Sequence, residues 1–116
     1  MRTVILALAL MVVGTDAVSA QSIGGTYRVS GTNPNGSQYG GTARITGSGA
    51  NCRIYWQTGA TSSEGVCLQS NRSFAAAYIL QGQAGLVVYE LRPDGSLHGT
   101  WTTAGSGVGT ESLFPQ

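Results

Sequence analysis

The chain has 116 residues, and its charge is sparse: 6 basic residues, all arginine, against 5 acidic ones. A net charge of +1 without a basic cluster excludes the concentrated positive charge that nucleic acid or an anionic membrane surface requires. Two cysteines and one histidine, scattered as Cys52, Cys67 and His98, do not make a metal centre, so neither metal nor cofactor is expected.

The first twenty residues read as a secretory signal peptide. Met1-Arg2 is a short positive start, Val4 to Val13 is unbroken apolar sequence, and Val18-Ser19-Ala20 offers small residues for cleavage. The expected cut follows Ala20, with Ala17 as second choice, and the run is too short for a membrane span. Residues 21–116 then form one domain, exported to the periplasm or the exterior. A chain of this size buries roughly two thirds of its unfolded surface. Its glycines punctuate alternating apolar and polar residues, a pattern for strands rather than disorder.

The first strand, Gly24 to Thr32, runs into Asn33-Pro34-Asn35-Gly36. Here a type I turn ends in a glycine with positive φ, leaving a three-residue loop. That loop places Gly31 opposite Tyr39, Val29 opposite Gly41, Tyr27 opposite Ala43, and Gly25 opposite Ile45. Thr26, Arg28, Thr42 and Arg44 share the other, polar face. Gly47-Ser48-Gly49 turns the chain into a third strand, Asn51 to Gln57. Thr58-Gly59-Ala60-Thr61 turns it back into a fourth, Ser62 to Gln69. A symmetric turn sets Cys52 opposite Cys67, Ile54 opposite Gly65 and Trp56 opposite Ser63. An even cysteine count in an exported chain then predicts a disulfide.

Ser70-Asn71-Arg72 leads into the fifth strand, Ser73 to Leu80. A type II′ turn at Gly82-Gln83 would pair Leu80 with Gly85, Tyr78 with Val87, Ala76 with Tyr89 and Phe74 with Leu91. The sixth and seventh strands form a hairpin about Arg92-Pro93-Asp94-Gly95, the same turn as Asn33-Pro34-Asn35-Gly36. It sets Leu91 opposite Leu97, Tyr89 opposite Gly99 and Val87 opposite Trp101. The outer face pairs Glu90 with His98, Val88 with Thr100 and Leu86 with Thr102. An eighth strand covers Val108 to Leu113. Eight short strands joined by tight turns predict an all-β fold, an eight-stranded antiparallel up-and-down β-barrel. A β-sandwich with Greek-key order is the alternative.

Several segments span nearly the whole domain: Gly25-Thr26-Tyr27, Asn33-Pro34-Asn35-Gly36, Tyr39-Gly40-Gly41-Thr42, Trp56-Gln57-Thr58-Gly59, Gly85-Leu86-Val87-Val88-Tyr89, Asp94-Gly95, Gly99-Thr100-Trp101 and Gly109-Thr110-Glu111. Together they resemble a family of small exported bacterial proteins, many of them labelled fibronectin-binding. The resemblance implies binding to a host matrix protein and carries no binding residues with it. Gly99-Thr100-Trp101 is also similar to a tripeptide of avidin and lipocalin-like barrels.

Catalysis finds little support. His98 faces Glu90 on the outer face as an expected surface pair, and no nucleophile or phosphate-binding loop accompanies it. The sequons Asn35-Gly36-Ser37 and Asn71-Arg72-Ser73 read as turns. Seven rings point inward: Tyr27, Tyr39, Trp56, Phe74, Tyr78, Tyr89 and Trp101. They are expected to fill the barrel, with Trp101 buried against Val87. Outside, Val66, Leu68, Ala75, Ala77, Ile79, Leu86 and Val88 form an apolar patch over the fourth to sixth strands. Ile79, Leu86, Val88 and Ala77 are its expected centre, which points to a protein partner or to self-association. The expected function is therefore a non-enzymatic exported binding module, for a matrix or envelope protein. Two alternatives are a carrier of a small apolar ligand inside the barrel and a secreted enzyme inhibitor using the Gly59 to Ser63 loop.

Overall fold

The computed structural model describes residues 22–48 and 50–116. The leader expected over residues 1–20 therefore lies outside the described residues, as does Gly49 of the second turn. Alternation of apolar and polar residues produces eight strands: β1 (Gly25–Thr32), β2 (Gln38–Ser48), β3 (Asn51–Thr58), β4 (Thr61–Ser70), β5 (Ser73–Leu80), β6 (Gln83–Leu91), β7 (Leu97–Thr103) and β8 (Val108–Pro115). Each pairs antiparallel with the next, and β8 pairs with β1, setting Val29 opposite Leu113. The barrel is closed and no strand edge is left open to another chain. Closure rules out the two-sheet sandwich.

The registers of β1–β2, β3–β4 and β6–β7 are those the turns predict. Asn33 and Arg92 open equivalent loops. In each, the glycine N–H donates back to the carbonyl three residues earlier, Gly36 to Asn33 at 2.8 Å and Gly95 to Arg92 at 2.9 Å. Their φ angles of 92° and 88° are left-handed, which glycine adopts without penalty. The β3–β4 connection is tighter than predicted. Thr58 and Thr61 already pair, so only Gly59 and Ala60 are in the loop, and the register does not move.

The β5–β6 hairpin departs from expectation. Tyr78 lies opposite Gly85, Ala76 opposite Val87, Phe74 opposite Tyr89 and Leu80 opposite Gln83. All four predicted pairs are displaced by two residues. The cause is the turn: Gln81 (φ 52°) and Gly82 (φ 80°) are both left-handed, as a type I′ turn requires, whereas type II′ at Gly82-Gln83 was expected. Packing favours this register. The Tyr78 ring lies flat over Gly85, where an added Cβ would be 2.2 Å from a ring carbon. A slip of two keeps every side chain on its predicted face.

The two ends of the barrel differ. At one end Ile23, Ile45, Ile54, Phe74, Leu91, Leu97 and Leu113 are buried and close the interior. Burying these side chains stabilises the fold, at about 25 cal/mol per Å² of apolar surface. Cys52 and Cys67 join β3 to β4 at this sealed end, with Cα atoms 5.0 Å apart. The bond fits an oxidising compartment. β1 begins and β8 ends here, and the Tyr27 hydroxyl donates to the Ile23 carbonyl at 2.6 Å, holding the segment that precedes β1.

Candidate functional site

The opposite end is open. It is bounded by the loop after β1 and by the β3–β4, β5–β6 and β7–β8 turns. A cavity of about 260 Å³ enters it, lined by Tyr39, Trp56, Tyr78, Trp101, Leu80 and Val87, with Asn33, Thr58, Thr61, Ser63 and Gln81 contributing polar groups. Glu111 also lines it and, at 6 % exposure, is the one buried charged residue among the described lining residues.

Local sequence explains how a carboxylate reaches the interior. Glu111 points inward from β8, and its cross-strand neighbours on both sides are glycines, Gly31 of β1 and Gly99 of β7. Neither has a side chain to occupy the space. The Tyr39 ring lies over Gly31 instead, where a Cβ would be 2.4 Å from the ring. Three donors from three other strands converge on the carboxylate. Tyr39 Oη donates to Oε1 at 2.7 Å, Trp56 Nε1 donates to Oε2 at 2.9 Å, and the Tyr89 hydroxyl also donates to Oε2. Donors alone meet it, which is the complement an acceptor-only carboxylate needs. Burial, and then the neighbouring Glu111 charge, push the Tyr39 and Tyr89 hydroxyls well above the usual tyrosine range. Burial also raises Tyr78, whose hydroxyl donates to the Thr102 carbonyl at 3.1 Å. The rings brace one another edge to face, Tyr39 against Trp101 at 6.2 Å and Trp56 against Tyr78 at 5.2 Å.

The seven predicted inward rings all point inward, but they do not fill the barrel. Tyr27, Phe74 and Tyr89 belong to the packed core, while Tyr39, Trp56, Tyr78 and Trp101 wall the cavity. Trp101, expected to be buried, is only partly so. It stands at the mouth, its Nε1 donating to the Thr110 carbonyl at 3.2 Å. Glu111 itself was missed. The signal was available: strict alternation back from the apolar Leu113 puts Glu111 and Gly109 on the same inward face.

The outer-face residues Ile79, Leu86 and Val88 are about half exposed, at 60, 50 and 48 %, and Val66 and Leu68 accompany them. With the corrected register Ala77 lies between Val66 and Leu86, and Ala75 lies between Leu68 and Val88. Ile79 instead faces Glu64 and Ala84, beside a shallow outer groove that includes Arg44 and Tyr55. Phe114 does not cover this patch. It packs under Arg28, 4.6 Å from the ring centre, and against His98.

His98 does not bond Glu90, which pairs with Arg92 at 3.4 Å. Ser96 Oγ donates to Asp94 and lies 2.9 Å from His98 Nε2, and His98 Nδ1 lies 2.9 Å from Ser112 Oγ. With its own proton committed to Asp94, Ser96 Oγ accepts from Nε2–H. The network ties the β6–β7 turn to β8. Among the described residues no group of three metal-binding side chains occurs.

No protein-family model and no curated protein matches the chain in sequence. Solved structures do match in shape. A redesigned β-barrel superposes with a TM-score of 0.74 at 16 % identity, covering 81 % of this chain and 91 % of its own. A de novo fluorescence-activating β-barrel gives 0.64 at 16 % identity, covering 80 % and 93 %. A variant of the fluorescent protein UnaG gives 0.51 at 13 % identity, covering 79 % and 94 %. At such identities the likeness is one of fold.

Proposed function

We propose that the protein binds a small organic molecule in the open end of its barrel, in an exported setting. The carrying observation is the cavity of about 260 Å³ among four aromatic rings. An engineered cavity of roughly 150 Å³ takes benzene, so the volume matches a ligand of one or two rings and is too small for a long acyl chain. The fold it shares with a fluorescence-activating barrel agrees with an interior ligand. The test uses the chain's own reporters. Its two tryptophans, Trp56 and Trp101, both line the cavity, so occupancy must alter tryptophan fluorescence. A panel of one- and two-ring compounds should include members giving a saturable change. Ser63→Phe, which places a ring in the void, should abolish it. A panel without saturable binding, or binding indifferent to Ser63→Phe, overturns the reading.

A second reading rests on the outer patch. Apolar residues on β4 to β6 gain nothing from the core, while β1 and β2 are polar outside. This supports association with a protein partner, or a second copy, through Leu86, Val88, Ala77 and Ile79. The resemblance to proteins labelled fibronectin-binding would make a matrix protein one such partner; the comparisons add nothing to that label. Ile79→Glu with Leu86→Lys should leave the melting temperature unchanged and abolish association in sedimentation or pull-down. Association that survives the pair of charges rules the patch out.

A further inference from the structure

We propose that the cavity selects a cationic ligand, a small aryl-alkyl ammonium, whose N–H bonds Glu111 Oε1 while its charge rests against the aromatic walls. The inference deepens the small-ligand reading above and rests on it. Its first ground is hydrogen-bond capacity. Each carboxylate oxygen accepts about two bonds. Oε2 already has two, from Trp56 and Tyr89, whereas Oε1 has one, from Tyr39. Among the described residues, Oε1 therefore keeps acceptor capacity for a donor from a ligand.

The second ground is charge. All three donors are neutral, and Glu111 makes no ion pair within 4.0 Å among the described residues. The ion pairs there, Arg53 with Glu64 and Arg92 with Glu90, are on the outer face. A buried carboxylate without a counter-charge is costly, and a cation entering the cavity relieves that cost. A metal ion is a poor candidate, because among the described residues that line the cavity Glu111 alone is a His, Cys, Asp or Glu. An anion would meet Glu111 at close range and be repelled.

The third ground is the wall itself. Tyr39, Trp56, Tyr78 and Trp101 surround the approach to Glu111, and ring faces attract organic cations. The arrangement is preformed. Gly31 and Gly99 clear the space around Glu111, the three donors hold its carboxylate in place, and edge-to-face contacts hold the rings. A preformed site loses little of the interaction energy to ordering.

The experiment compares three ligands of one shape: phenethylamine, n-propylbenzene and 3-phenylpropionate, followed by tryptophan fluorescence at neutral pH. The ammonium should bind about tenfold more tightly than the neutral compound, and the carboxylate more weakly than either. Glu111→Gln keeps an acceptor oxygen and removes the charge, so it should erase the preference for the ammonium while leaving the neutral compound's affinity in place. Equal binding of ammonium and neutral compound overturns the inference but leaves the small-ligand reading standing. Failure of all three to bind overturns the inference, and the wider panel then decides the small-ligand reading. Should Glu111→Gln not fold, the native protein still decides. Nuclear Overhauser contacts must place the nitrogen-bearing carbon of phenethylamine beside the Glu111 side chain, and contacts to other residues alone overturn the proposal.

Discussion

Asp94 is fully exposed, yet its carboxyl is held below the usual carboxylate range, chiefly by the Ser96 hydroxyl and then the Ser96 N–H. The lowered value means the ionised form is favoured by folding. Its contribution is complete above the unfolded value of 3.8 and is lost as pH falls through the lower native value. Asp94→Asn should lower the melting temperature at neutral pH, and the gap to the native protein should close as acid is added. A gap that is constant from pH 7 to pH 2 would show that the turn does not depend on this charge. Trp101 and Phe74 make the opposite contrast. Phe74 is fully buried in the sealed end, so Phe74→Ala should cost about 3–5 kcal/mol in urea unfolding. Trp101→Ala, at the mouth, should cost clearly less and act mainly on ligand binding. Equal losses would place Trp101 in the core after all. The inward direction of both rings was legible from strand alternation; their depth was not, because depth depends on which end of the closed barrel the rest of the sequence seals. Glu111 was hidden for a related reason. Charge on a strand reads as an outward position; alternation from Leu113 points Glu111 inward, but the room for it comes from two glycines of other strands, which only the registers reveal.

At the scale of the hairpin, the turn chemistry was legible where glycine follows a proline-containing turn. It misled where Gly82 stands between two glutamines. Either choice of central pair, Gln81-Gly82 or Gly82-Gln83, gives a plausible hairpin, and the two differ by two residues in register. The observed choice puts Gln81 in the left-handed region, which costs a non-glycine residue about 1–2 kcal/mol and asparagine less. Gln81→Asn should therefore stabilise the protein, by about 0.5–1 kcal/mol in urea unfolding. With Gly82-Gln83 as the turn, position 81 would be ordinary strand and asparagine there would be neutral or unfavourable. Because the slip is even, inward and outward faces were predicted correctly even though partners were not. The outer patch survived the correction while its internal pairing changed, with Ala77 rather than Ile79 beside Leu86.

For the whole molecule, the closed sheet was legible because eight strands, tight turns and alternation all point to it. The unequal ends were not, since they arise from aliphatic residues of several strands meeting at one end and rings at the other. The rings also set the alkaline limit of the fold. Tyr27, Tyr39, Tyr78 and Tyr89 all have hydroxyls raised above 10, principally by burial. In the unfolded chain they ionise near 10, so their neutral burial stabilises the protein below that pH and is lost progressively above it. Absorbance titration should show these four resisting ionisation near pH 10 and then titrating together with loss of near-ultraviolet circular dichroism. Their titration near pH 10 with the fold intact would contradict the buried network. One further consequence follows from β1 beginning and β8 ending at the sealed end. A tag, a solid support or a second domain joined directly before Ser22 or after Gln116 would be anchored behind the barrel. A tethered barrel would present its aperture to the bulk solution, and sensors could be built from it without choosing which terminus to immobilise.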